Sequence, residues 1–221
     1  MLMLISGRFT LIMFFKTCLI VYLLLLLMDV VAVVHGAGFG RCPKYPSMPK
    51  FNMSRILGQW YEVEHSFYLP EIASGCTTLE FQPLNNEELS RFNNFKLQVA
   101  IKTINRLTGN PSLSIGYAEP ENLKSSIMDF KFHTRFPEVI ARLLPGSGKY
   151  QILYTDYDNF AILWSCGSLG SLGYADQIWI FGRERDFPFE IRSKIYDALK
   201  QLSLGPDRLV LTKNKDCPKV L

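Results

Sequence analysis

The sequence predicts an all-β domain: an eight-stranded antiparallel up-and-down β-barrel with one C-terminal α-helix packed outside and a short ninth strand. Three observations lead there. Eight short segments, alternating or apolar, follow one another between connectors rich in Asn, Gly, Pro, Asp and Ser. Sequential strands on short connections favour a meander over a Greek key, and a sheet of that size gains by closing, because closure removes unpaired edges. After the eighth segment the apolar spacing changes to three and four, the mark of a helix lying on the outside of the sheet. An immunoglobulin-type sandwich is disfavoured by that helix and by the 90 residues between Cys76 and Cys166.

The first 36 residues read as a signal peptide that is cleaved. Arg8 and Lys16 precede an apolar run from Leu19 to Met28. Ten residues fall well short of the roughly 20 that a spanning helix needs. Asp29 would sit inside any longer span at a cost of about 2.5–3.5 kcal/mol. Val34 and Gly36 are small enough to flank the cleavage, which is expected after Gly36, leaving one domain over residues 37–221. Of the 221 residues 185 then remain, and because Arg8, Lys16 and Asp29 depart the net charge falls from +4 to +3. That charge is too mild and too evenly spread for a nucleic-acid partner.

Cys18 leaves with the leader. Cys42, Cys76, Cys166 and Cys217 remain, an even number that in a secreted chain implies two disulfides, in any of three connectivities. Their wide spacing argues against a zinc site, and neither metal nor cofactor is expected. Asn52-Met53-Ser54 is the one acceptor sequence for N-glycosylation, so Asn52 is a candidate glycan site.

The elements follow in order. The lead-in Cys42 to Pro49 is too rich in proline for a helix or a central strand. Strands are expected over 59–66, 76–82, 95–104, 112–119, 125–133, 149–155, 160–166 and 176–183. The helix spans 188–204, opened by Pro188 and stopped by Gly205-Pro206, with Ile191, Ile195, Ala198, Leu199 and Leu202 in one apolar stripe. A last strand is expected over 208–212.

Three separated spots belong together. Gly58-x-Trp60 opens the first strand, Thr155-Asp156-Tyr157 turns between the sixth and seventh, and Arg183 ends the eighth. Closure makes the first and last strands neighbours, so Trp60 plugs one end of the barrel and Arg183 caps the indole through a cation–π contact of about 1–2 kcal/mol. Gly58 lets the backbone bend beneath the ring. This set, in this order behind a secretory leader, resembles the signature of the lipocalin family over the whole mature chain. The closer likeness is to its apolipoprotein D-like group, which includes insect Lazarillo and bilin-binding proteins. It rests on the Cys-Pro lead-in, LGQWYEVE, CTTLEF, TDYDNFAILWSC and the ending DCPK. The resemblance implies the pairings Cys42–Cys166 and Cys76–Cys217, leaving no free thiol in the mature chain. It also implies a secreted carrier.

Side chains alternate across a strand, so residues in phase with Trp60 and Arg183 face inward. Glu62, Glu64, Trp179 and Phe181 are expected inside on that basis, and the resemblance gives Trp179 the position of a pocket tryptophan. Leu97, Val99 and Ile101, then Ile115 and Tyr117, then Met128, Phe130 and Phe132 are the expected lining elsewhere. An aromatic, Met-containing lining in an eight-stranded barrel suits one small hydrophobic ligand: a retinoid, sterol, fatty acid or tetrapyrrole. Glu62 and Glu64 are candidates to hydrogen-bond its polar end.

The open end gathers Phe67, Tyr68, Leu69, Val139, Ile140, Leu143, Leu144, Leu169 and Leu172. That much apolar surface on a rim supports an alternative, an interaction protein docking on a membrane, a lipoprotein or a receptor with little internal cargo. Catalysis is not expected. Only His65 and His133 survive leader removal, the thiols are paired, and no nucleophile-elbow, zincin or phosphate-loop motif occurs.

Overall fold

A computed structural model describes residues 16–23, 37–67, 73–84, 96–122, 124–132, 148–168 and 170–218. The wall consists of β2 (Gly58–Ser66), β3 (Ser74–Pro83), β4 (Leu97–Asn105), β5 (Pro111–Pro120), β6 (Ile127–Phe132), β7 (Gly148–Thr155), β8 (Phe160–Ser168) and β9 (Tyr174–Gly182). Each pairs antiparallel with the next, and β9 pairs back onto β2, with Tyr61 opposite Gly182 and His65 opposite Trp179. That last ladder closes the barrel and leaves no open edge among its eight strands.

Two short strands lie outside the ring. β1 (Ala37–Gly38), which the sequence does not announce, pairs with β9, and β10 (Leu209–Leu211) pairs with the second half of β2. The single turn α1 (Met53–Ile56) is also unannounced. Asn52 caps it by accepting from the Ser54 amide at 3.0 Å, and its Met53 and Ile56 are buried beneath the barrel. Helix α2 (Phe189–Gln201) ends three residues before its predicted limit. Ser203 takes a left-handed backbone, φ +57°, and the Leu204 amide turns back to the Leu199 carbonyl at 2.9 Å.

The wall carries a core on each side. Inside are Trp60, Leu79, Phe81, Leu97, Val99, Met128, Phe130, Tyr150, Ile152, Leu163, Trp179 and Phe181. Outside, Val63, Ile162, Ile178 and Ile180 pack against Ile195 and Leu199 of α2, as the apolar stripe of the helix requires. Strands β8 and β9 are therefore apolar on both faces and read as continuous runs rather than alternating ones.

Two disulfides hold the ends of the chain to the wall. Cys42–Cys166 ties the lead-in to β8, and Cys76–Cys217 ties the tail to β3, the pairings the resemblance implied. The rim expectations fall mostly outside the described residues: Tyr68, Leu69, Val139, Ile140, Leu143, Leu144 and Leu169 all do. Leu172 is described and exposed.

Candidate functional site

The floor forms as the sequence predicts. The Arg183 guanidinium lies 3.6 Å from the centre of the Trp60 ring. Its nitrogens donate to the carbonyls of Tyr157 (3.1 Å), Gln59 (2.9 Å) and Arg55 (3.0 Å), so one side chain ties β2, α1 and the β7–β8 turn together. The indole N–H donates to the Ile56 carbonyl at 2.7 Å, so the buried ring's one donor is paired. Gly58 sits directly under the guanidinium at φ +89°, a conformation that favours glycine.

The turn between β7 and β8 is built by its own side chains. The Thr155 hydroxyl donates to the Phe160 carbonyl at 2.5 Å and accepts from the Tyr157 amide at 2.8 Å. Tyr157, at φ +69°, reaches under the floor to accept from the Asn52 amide at 2.8 Å. Asp156 accepts from the amides of Asn159 (2.8 Å) and Phe160 (3.0 Å) and from the Asn159 side chain (2.7 Å). Partial burial pushes the Asp156 carboxyl up. The donors from Phe160, Asn159 and Asp158 outweigh it and hold the group below the usual carboxylate range.

A group whose folded pKa is depressed releases its proton more readily folded than unfolded. Its stabilisation is full above the unfolded value near 3.8 and is lost as pH falls through the folded value. Urea unfolding from pH 5 to pH 2 is expected to decline less steeply in Asp156→Asn than in the wild type. Identical slopes would mean the turn does not depend on the ionised carboxylate.

Above the floor the lining is partly as expected and partly not. Leu97, Val99, Met128, Phe130, Trp179 and Phe181 are buried on the interior face, and Ile101 and Phe132 pack against them. Glu62 also faces inward, opposite Phe181. Glu64 does not. A bulge between Glu62 and Glu64 shifts the register by one, so Glu64 stands opposite Ile180 on the outer wall. There its carboxylate pairs with Arg192 and accepts from the Tyr196 hydroxyl at 2.9 Å, both on α2.

Ile115 and Tyr117 are likewise misplaced by the reading of phase, being 48% and 43% exposed on the outer face of β5. The inward positions of that strand are Gly116 and Ala118. A Cβ at Gly116 would come within 2.7 Å of the Phe132 ring, so the small residues make room for aromatic neighbours on β6. Hydrophobicity alone selects the larger residues as inward and here gives the wrong parity.

The sequence reading also missed Tyr150. Its ring stacks on Phe130 at 4.4 Å and lies 5.6 Å from Trp179, linking them into one aromatic bank across β6, β7 and β9. Alternation through Tyr150 and Ile152 was the available signal, since both are inward before the register shift between Ile152 and Tyr154. Around Trp60 the buried side chains pack closely. A cavity of about 10 Å³ lies there among Ile56, Trp60, Leu79, Phe81, Ile152, Ala161, Leu163 and Phe181. That is the room of about one water, a packing gap at the floor.

Comparison with known proteins agrees with this geometry. The family model described as lipocalin / cytosolic fatty-acid binding protein matches residues 121–216. Apolipoprotein D of Cavia porcellus is 30% identical over 202 residues, covering 90% of this chain and 97% of that protein. Lazarillo protein of Schistocerca americana is 27% identical over 174 residues, covering 78% and 74%. Among solved structures, insecticyanin from the tobacco hornworm Manduca sexta superposes with a TM-score of 0.64 at 19% identity, over 81% of this chain and 89% of that one.

Proposed function

Because the chain belongs to the lipocalin family, a family of proteins that bind small hydrophobic molecules, we propose that it is a secreted carrier holding one such molecule inside the barrel. The observation that carries this reading is the aromatic bank of Phe130, Tyr150 and Trp179, standing inside a wall closed at one end by Trp60 and Arg183. Aromatic faces at the closed end of a barrel favour an apolar or flat guest, and the floor removes the alternative of a through-channel. The gap at the floor has room for about one water, so the ligand sits against the bank and toward the open end. Retinoids, sterols, fatty acids and tetrapyrroles are the candidate classes, and the role is carriage rather than catalysis.

Secretion follows on the same reading, with the leader removed after Gly36 and a glycan on Asn52. Asn52 is exposed at the closed end, and its cap to Ser54 uses only the amide oxygen, leaving the nitrogen as the acceptor. A glycan there stands away from the open end and does not block it.

Tryptophan fluorescence tests the carrier. Retinol, biliverdin, cholesterol and arachidonate are titrated separately into the secreted protein. Saturable quenching by at least one of them, diminished in Trp179→Phe, is the expected result. No quenching by any, in protein with an intact near-UV circular dichroism spectrum, would overturn the reading.

A further inference from the structure

Glu62 and His65 are three residues apart, and a regular strand would place them on opposite faces. The bulge in β2 brings both to the interior, Glu62 opposite Phe181 and His65 opposite Trp179. Both are buried, at 4% and 8% exposure, and Thr212 from the tail beyond β10 joins them at 8%. The Thr212 hydroxyl donates to Glu62 Oε1 at 2.8 Å. His65 Nδ1 lies 3.0 Å from that same oxygen and 3.1 Å from Thr212 Oγ1. Asn214 donates to the Glu62 carbonyl at 2.7 Å, fixing the backbone as well.

Among the described residues, every hydrogen bond to this carboxylate falls on Oε1. Oε2, on a side chain 5% exposed and turned into the barrel, accepts none and is not fully enclosed by protein atoms. An accessible carboxylate oxygen with no protein donor keeps its full acceptor capacity for a guest. The His65 ring beside Oε1 carries charge only when protonated, and the neutral ring leaves the carboxylate's charge in place.

Resting on the carrier reading, we propose that Glu62 is the polar recognition group of the barrel. Its Oε2 accepts a hydrogen bond from the hydroxyl or ammonium end of an otherwise apolar ligand, while His65 and Thr212 are positioning residues that hold Oε1. A ligand carboxylate would bring a second anion against the first in a low-dielectric interior, where like charges repel strongly. The class narrows to apolar alcohols and amines, and fatty acids are disfavoured.

Displacement of the neutral dye N-phenyl-1-naphthylamine tests this with four competitors sharing one chain: dodecanol, dodecylamine, laurate and dodecyl methyl ether. Dodecanol and dodecylamine are expected to compete about tenfold better than the ether and laurate, the scale of one hydrogen bond to a charged group. In Glu62→Gln the amine should lose its advantage and laurate should gain, with the ether unchanged. In Thr212→Val the alcohol and amine should weaken several-fold, again with the ether unchanged. Laurate competing as well as dodecanol against the wild type overturns the proposal, and so does an unaltered order in Glu62→Gln. The wild-type order decides alone if that variant does not fold. If neither the dye nor any competitor binds folded protein, the carrier reading itself falls.

Discussion

Replacing Cys76 and Cys217 together with serine is expected to lower the free energy of unfolding by about 5 kcal/mol. The bond joins residues 141 apart, and the chain-entropy model gives about that value for a loop so long. For a domain of this size each kcal/mol moves Tm by about 2–4 °C, so thermal unfolding should fall by roughly 10–20 °C. Urea unfolding of the double variant beside the wild type measures the effect. A loss under about 1 kcal/mol would mean that the unfolded chain already holds these segments close.

The consequence of that bond is local as well as global. Cys76 is buried with a left-handed backbone, φ +56°, and its amide donates to the Lys213 carbonyl at 3.2 Å. The tail therefore enters the register break of β3 between Gly75 and Thr78, close to where the β2–β3 ladder stops at Tyr61 and Thr78. Thr212 and Asn214, which hold Glu62, lie on this tail. In the double variant hydrogen exchange should accelerate over residues 209–218 before the rest of the barrel opens, because the covalent tie to β3 is gone and only hydrogen bonds and the β10 ladder hold the tail.

How much of this was legible depended on the range over which each sequence signal acts. The strands were readable because turn chemistry separates them locally, and closure was readable because Gly58, Trp60 and Arg183 have one physical explanation when the first and last strands touch. The lining was less so. Alternation fixes parity only as far as the next bulge, and the bulge in β2 arises where β10 replaces β3 along one edge of the strand while β9 keeps the other. Nothing in the alternation of Tyr61 to His65 announces that exchange of partners along one edge. On β5 the inward residues are the small ones, Gly116 and Ala118, because space is shared with rings from β6. Such sharing is a property of facing strands, and one strand's hydrophobicity does not contain it.

The parity change at Glu64 leads to the second large effect. Glu64→Ala is expected to cost about 3–5 kcal/mol, although it removes an acid from a largely apolar wall. At 2% exposure the carboxylate is fully desolvated, and it pairs with Arg192 and accepts from the Tyr196 hydroxyl. Deleting it strands a guanidinium that is three-quarters covered, with Asp186 at 3.0 Å, a largely exposed group, as its remaining carboxylate partner. Removing one member of a buried pair typically costs that much because the other charge is left uncompensated. Replacing Glu64, Arg192 and Tyr196 together with Leu, Met and Phe removes all three polar groups, and should restore most of the loss by the same reasoning. Chemical denaturation of the single and triple variants separates the accounts. If the triple variant is no more stable than Glu64→Ala, the ion pair carries net stability of its own, and the docking of α2 depends on it more than on Ile195 and Leu199.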